Sequence, residues 1–304
     1  APPILGVKAG NVLTVNAGSS TRRAARNLNS DEIDEEIIIS QESDGKISVT
    51  MFGLTQSFSG ITSVIIDSDD GNDFVQVDSS VSVALVTVNL GTGNDIFVGG
   101  GSGGVNVDGD IGNDQLTGSI YADTLKGGAD DDTINGGKGI DTIQGDAGDD
   151  IIVWTVGDGM DAVINGGSNT GADLFQLIGP ASQSLDVQIS ASNSFLVVVG
   201  SETLTVSATE SLRIEGGNQA DTVTLNELAG SGLTQVSVDL GDDGVQDSVI
   251  VNGTASADQY DINYSQVTLN LGDGNVTKAA TVINKVVSSS ITATIQVFGV
   301  GSAT

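Results

Sequence analysis

The residues of this chain that can do chemistry are aspartates, and their spacing is regular. Between Gly109 and Val153 one recurs every nine residues, at Asp114, Asp123, Asp132, Asp141 and Asp150. An aliphatic side chain stands two places after each, at Leu116, Leu125, Ile134, Ile143 and Ile152. The intervening turns are rich in glycine, which admits positive φ and lets backbone carbonyls turn towards a common point, where the aspartate adds a carboxylate. Hard oxygen donors without soft ones describe a calcium site.

So short a period means that one unit is laid down repeatedly. In the cleanest copy, Gly136–Gln144, three glycines and an aspartate form a turn, and Thr142, Ile143 and Gln144 form a minimal strand with Thr142 outward and Ile143 inward. One inward side chain per unit cannot bury an apolar face alone, so units must stack. Two units back to back make one coil of a flattened solenoid. The predicted fold class is therefore all-β: an irregular parallel β-solenoid.

At these residues the chain resembles the RTX family, whose haemolysin-type calcium-binding repeats follow G-G-x-G-x-D-x-U-x. Gly136–Gln144 fits every position, Gly145–Val153 departs at the second glycine, and Gly127–Asn135 departs at the fourth position, where Asp130 stands. Gly118–Lys126 keeps Gly118, Asp123 and Leu125. The resemblance implies a right-handed parallel β-roll with several calcium ions held between successive turns by the aspartates and by loop carbonyls. Carried onto matching positions, it implicates Asp114, Asp132, Asp141 and Asp150, with Gly127, Gly136, Gly137, Gly139, Gly145 and Gly148.

Looser copies extend the pattern. Asp73 precedes Val75, and Gly91, Gly93 and Asp95 precede Phe97, at a spacing of 22 residues. Further on, Asp161 precedes Val163, Asp173 precedes Phe175 after a turn with two extra residues, Asp221 precedes Val223, Asp247 precedes Val249 and Asp258 precedes Tyr260. All of these join the candidate metal ligands.

Composition agrees. Of 40 acidic residues 32 are Asp and 8 are Glu, against 10 basic residues and a net charge of −30. A merely solvated acidic face would not favour the shorter, turn-forming side chain so strongly. A chain this charged repels itself when compact, and bound divalent cations make folding favourable. The same charge opposes nucleic-acid binding, while 38% hydrophobic residues in strand-like alternation oppose disorder. With no Cys and no His, disulfides, His-ligated zinc and imidazole triads are excluded. No apolar run is long enough for a membrane span. The expected setting is extracellular or cell-surface, where calcium is millimolar.

The elements that must position the turns are short strands. Ile4–Val15 holds two apolar alternations that read as edge strands, and Ser19–Glu36 reads as a charged cap with Arg22, Arg23 and Arg26 ahead of an acidic run. Asp44 and Gly45 signal a hairpin. Ser182–Val206 alternates without a metal motif, and the tail from Gln266 alternates again around a turn at Gly272–Gly274. The expected divisions are 1–60 (strands and charged cap), 61–265 (calcium-binding solenoid) and 266–304 (terminal strands), read as one continuous solenoid of about 13 to 16 coils.

Catalysis is not expected. Enzymes built on parallel β-helices need a base beside the sugar, yet Arg213 is the only arginine beyond position 26, and Lys126 and Lys138 lie in repeat turns. Trp154 and Tyr121 are candidates to stack on a surface polysaccharide, with packing as the blander role. The expected function is a secreted calcium-binding structural protein that self-associates end to end into an extracellular fibre, layer or biofilm matrix. The alternative is a non-catalytic RTX module of a larger adhesin, toxin or secreted enzyme.

Overall fold

The structure is a computed structural model that describes residues 3–16, 34–167, 171–180, 183–191, 194–226, 231–241, 248–251, 266–270, 275–279 and 294–299. These residues are all-β, and no helix among them is long and apolar enough to cross a membrane. Asp247, Asp258, most of Ser19–Glu36 and the turn Gly272–Gly274 lie outside the described residues. Two compact units divide the chain, Ala1–Ile151 and Ile152–Thr304.

The strands of the first unit are β1 (Gly6–Ala9), β2 (Val12–Asn16), β3 (Glu36–Gln41), β4 (Ile47–Met51), β5 (Leu54–Phe58), β6 (Ser63–Asp67), β7 (Phe74–Val77), β8 (Leu85–Thr92), β9 (Ile96–Val98), β10 (Val105–Ile111), β11 (Gln115–Thr117), β12 (Thr124–Ala129), β13 (Thr133–Asn135) and β14 (Thr142–Ala147). One sheet runs β1-β2-β6-β8-β10-β12-β14 and the other β13-β11-β9-β7-β3-β4-β5. Successive coils pair in parallel and give one strand to each sheet. Register stacks Val15, Ile66, Val88, Val107, Leu125 and Ile143 into one inward column, and Ile37, Val75, Phe97, Leu116 and Ile134 into another. Every one of them is buried.

The three-residue strands β9, β11 and β13 each bury a single side chain. That burial is worth about 1.5–3 kcal/mol per residue and exists only within the stack, so the coils stabilise one another rather than themselves.

Antiparallel strands interrupt this pattern at the N-terminal end. β1 lies antiparallel on β2, and β3, β4 and β5 form an antiparallel meander whose first turn is the expected one at Asp44 and Gly45. Phe58 of β5 packs against Gly6 of β1, where a Cβ would also crowd Leu13.

The second unit is entered through β15 (Ile151–Thr155) and contains β16 (Val163–Gly167), β17 (Leu174–Ile178), β18 (Asp186–Ala191), β19 (Phe195–Val199), β20 (Glu202–Ser207), β21 (Ser211–Glu215), β22 (Thr222–Leu225), β23 (Gln235–Gly241), β24 (Ser248–Val251), β25 (Gln266–Asn270), β26 (Asn275–Ala279) and β27 (Thr294–Gly299). β17, β21, β23 and β27 pair in parallel. On the other face, β16 pairs with β20 and β18 with β22 in parallel, while β18, β19 and β20 form an antiparallel insert. The described strands of the motif-free alternation at Ser182–Val206 form this insert, and Phe195 within it packs edge-to-face on Phe175 at 6.1 Å between ring centroids. β25 and β26 form a separate antiparallel pair. The strands β4, β5 and β19 lie outside the parallel stack, so the described strands make fewer coils than the about 13 to 16 expected from strand spacing alone.

Candidate metal centre

The aspartates that recur every nine residues separate onto two edges of the first unit, because half a coil lies between neighbours. Asp114, Asp132 and Asp150 stand immediately before strands of one sheet, and Asp95 and Asp73 continue that column upward. Asp123 and Asp141 stand before strands of the other sheet. All seven are at most 3% exposed, a degree of burial that aspartate shows only when its carboxylate has specific partners.

One partner is backbone. The N–H of Asp73 donates to Oδ1 of Asp95 (2.6 Å), that of Asp95 to Asp114 (2.8 Å), that of Asp114 to Asp132 (2.8 Å) and that of Asp132 to Asp150 (2.9 Å). The other edge repeats the bond from Asp123 to Asp141 (2.8 Å). Where no aspartate stands in the upper rung the bond persists, from Val105 N–H to Asp123 Oδ1 (2.7 Å). Each carboxylate thus uses one oxygen to tie its coil to the coil before it.

The second oxygen is different. Oδ2 of Asp73, Asp95, Asp114 and Asp132 is buried without a hydrogen-bond partner. In the last two turns it lies against the first glycine of the repeat. A Cβ on Gly109 would collide with Asp114 Oδ2 and the Gly127 carbonyl, and one on Gly127 would collide with Asp132 Oδ2 and crowd the Gly145 carbonyl. Glycine is required there because a carboxylate oxygen and a carbonyl oxygen of the next coil converge on its Cα. Gly136 with Asp141 repeats the contact on the second edge, and Gly166 with Asp173 and Gly216 with Asp221 repeat it in the second unit.

Burial raises the carboxyl pKa values, opposed by the backbone donors: Asp95 up to about 6, Asp114 to about 7 and Asp132 to about 8. Asp73 is raised likewise, with the Glu35 carboxyl adding to the effect. Buried carboxylates carrying unpaired oxygens are costly unless a cation meets them. Among the described residues no three acidic side chains gather as a metal-ligating group. Any cation must therefore draw most of its ligands from turn carbonyls, and this all-oxygen donor set fits calcium.

The turn backbone keeps positive φ where the repeat departs in sequence. Gly137 and Gly139 take φ of 79° and 147°, and the departures Asp130 and Asp146 take 78° and 74°, in the left-handed region that aspartate tolerates. Gly91 and Gly93 adopt positive φ as well, and a Cβ on Gly93, Gly112 or Gly148 would strike a carbonyl of the coil before.

Not every candidate joins a column in this way. Asp123 uses both oxygens, with Ser119 N–H (2.5 Å) on Oδ2 and Ser119 Oγ (3.0 Å) on Oδ1. Asp221 accepts Leu185 N–H (2.7 Å) and Gly217 N–H (2.8 Å). Asp173 is buried and donates its N–H to Glu210 (3.0 Å). Asp161 is only half-buried, and Val163 two places on is 41% exposed, so the register there differs from the repeat. Trp154 is core, with Nε1 donating to the Gly159 carbonyl (3.0 Å), and has no face for a sugar.

Two features escaped the sequence reading. Glu35, 2% exposed, forms a rung of the column above Asp73, the first among the described residues. A second, exposed ladder runs the opposite way beside the aspartates: Asn72 Oδ1 accepts Asn94 N–H (2.8 Å), Asn94 accepts Asn113 (3.0 Å) and Asp131 accepts Asp149 (2.9 Å). The signal for it was present in the recurring Gly-Asn-Asp at 71–73, 93–95 and 112–114.

Residues 108–143 and 127–153 match the family model of the RTX calcium-binding nonapeptide repeat, in four copies. No curated protein and no solved structure matches the chain. The turns closed by Asp114, Asp123, Asp132, Asp141 and Asp150 are RTX calcium-binding nonapeptide repeats, wound here into a parallel β-roll.

Proposed function

We propose that the chain is a secreted, non-catalytic structural protein whose roll folds on meeting extracellular calcium and associates end to end into a fibre, layer or biofilm matrix. The observation that carries the calcium-dependent part is the column of buried aspartate oxygens, which costs stability without a cation and gains it with one. RTX repeats are typical of secreted proteins, and millimolar calcium outside the cell is the natural trigger. Support for end-to-end contact comes from β1 and β5, the outermost strands of the two sheets at the N-terminal end, which carry exposed Val7 and Leu54. Unlike ends joined in this way need not close on themselves, and a filament results.

A specific observation favours the second reading, an RTX module of a larger adhesin, toxin or secreted enzyme. β1 and β5 are short and antiparallel to their neighbours, and β1 carries Lys8, features with which soluble β-proteins blunt an edge. Sedimentation velocity with millimolar calcium and with chelator, alongside electron microscopy, decides. Calcium-dependent polymers support the first reading, and a folded monomer at high concentration leaves the second.

A further inference from the structure

We infer that the solvent face of β21, centred on Arg213, binds a neutral oligosaccharide or a short stretch of a neutral polysaccharide. The inference goes beyond the structural function proposed above and lies in the second unit, outside the matched residues 108–153.

β21 is an internal strand, paired in parallel with β17 on one side and β23 on the other. Leu212 and Ile214 are buried in the core, so Ser211, Arg213 and Glu215 share the opposite face. Register lays Leu174, Ser211 and Gln235 in one row, Gln176, Arg213 and Ser237 in the next, and Glu215 beside Asp239 in a third. All of these except Gln176 and Glu215 line an open depression of about 450 Å³. That volume falls within the roughly 300–1,000 Å³ of ligand clefts.

Arg213 is fixed by its neighbours. Its Nε pairs with Glu215 Oε1 (2.8 Å), and Gln176 Nε2 donates to the same oxygen (2.8 Å). Glu215 thereby holds a guanidinium on its own strand and an amide on the next, while the Arg213 side chain stays 47% exposed.

The donors and acceptors of this face select the ligand. The guanidinium donates, the Glu215 and Asp239 carboxylates accept, and the Gln235 amide and the hydroxyls of Ser211 and Ser237 do both. A sugar hydroxyl also donates and accepts at once, and its bonds to charged partners are roughly twice as strong as those to neutral ones. An anion only accepts, and here it would meet two carboxylates on a chain of net charge −30. A cation would meet Arg213. An extended peptide binds a sheet through backbone pairing at a free edge, and β21 has no free edge. Leu174, half-buried, supplies an apolar surface for the C–H face of a sugar ring.

The test titrates the full chain in millimolar calcium by isothermal titration calorimetry. The probes are neutral hexasaccharides of glucose, mannose, galactose and xylose, with hexagalacturonate as the acidic arm. At least one neutral hexasaccharide should bind, and more tightly than hexagalacturonate. Arg213→Ala should weaken it at least about tenfold, as loss of hydrogen bonds to a charged group does. Arg213→Lys, which keeps the charge without the planar fork, should lie between. Thr205→Ala, on the exposed face of β20 in the other sheet, should leave affinity unchanged. Glu215→Gln separates the ligand classes: it weakens a sugar by removing a charged acceptor and strengthens an anion by removing repulsion. The inference is overturned if no neutral hexasaccharide binds, if hexagalacturonate binds more tightly, or if Arg213→Ala, folded by circular dichroism, binds as well as wild type. Any of these outcomes leaves the calcium and assembly readings standing.

Discussion

The backbone N–H of Asp114 donates to Oδ1 of Asp132, 2.8 Å away and one coil further along the chain. Oδ2 of the same Asp132 has no hydrogen-bond partner. One carboxylate thus joins two coils with one oxygen and offers the other to a cation, and a substitution can separate the two roles. Asp132→Asn keeps an oxygen for the Asp114 N–H and removes the charge. In millimolar calcium it should lower Tm, since a site with Kd of about 0.1–1 mM contributes about 0.4–1.4 kcal/mol. In chelator it should raise Tm, because a buried unpaired charge costing about 1–3 kcal/mol is gone. Thermal circular dichroism under both conditions reads the sign, and a decrease in chelator as well as in calcium would show that the charge does not destabilise the metal-free fold.

Acid should substitute for calcium. Asp95, Asp114 and Asp132 have folded-state pKa values of about 6, 7 and 8, above the ordinary 3.8. A raised carboxyl pKa means that the folded state holds its proton more tightly than the unfolded chain does. The stabilisation is fully present below pH 3.8 and is lost as pH rises through 6 to 8. Chelated protein should therefore gain β structure on acidification from pH 8 to pH 5, and calcium affinity should rise with pH over the same window as protons are displaced. Chelated protein with the same circular-dichroism spectrum at both pH values would contradict the burial of these groups.

How far these sites were legible from the sequence depended on whether the chain kept a local frame. Asp114, Asp132 and Asp150 share a column because a constant period of nine residues, two units to the coil, puts alternate aspartates on one edge. Asp73 and Asp95 followed from the apolar residue two places on, Val75 and Phe97. Glu35 was hidden because its partner is 38 residues away and no glycine surrounds it. The Asp44 and Gly45 turn was readable as a hairpin, but the antiparallel sense of β18, β19 and β20 was not, since alternation at period two is the same in either direction. Val163 shows the limit of spacing alone: it stands two places after Asp161 yet faces solvent, and Ile164 takes the core position.

The glycines of the turns should differ in what they tolerate. Gly127→Ala places a methyl group against Asp132 Oδ2 and the Gly145 carbonyl, both fixed by the stack. Gly157 has φ of 98° and nothing within 4 Å, so alanine there meets only backbone strain of about 1–2 kcal/mol. Gly127→Ala should cost more in calcium and should weaken calcium binding, whereas Gly157→Ala should leave affinity unchanged. Equal melting shifts with no change in affinity would mean that the space beside Gly127 is not part of a site.

The outer ladder should carry stability without metal. Asn94 is exposed, and its Oδ1 accepts the N–H of Asn113 at 3.0 Å. Asn94→Ala should cost about 0.5–1.5 kcal/mol, the net worth of one hydrogen bond, and leave the calcium count intact. Asp95→Ala, one residue on, removes both the bond to Asp73 N–H and a cation ligand, so it should cost more and lower the count. Isothermal titration calorimetry of the two variants separates the ladders, and loss of an ion in Asn94→Ala would merge them.

End-to-end assembly makes its strongest claim on the outer edges of β1 and β5. Val7 is 48% exposed on β1 and Leu54 is 42% exposed on β5, so lysine at either position keeps the fold, with a stability change within about 0.5 kcal/mol. An incoming strand would bring these positions into a dry, paired edge, where a charge is the usual guard against pairing. The double substitution Val7→Lys and Leu54→Lys should raise the critical concentration for calcium-dependent polymers at least about tenfold, the equivalent of 1.4 kcal/mol per contact. Tm in calcium and the calcium count should not move. Polymers that form as readily in the double variant would place the contact elsewhere on the roll, and a wild-type protein that sediments as a monomer with millimolar calcium would leave the chain as a calcium-folded module of a larger protein.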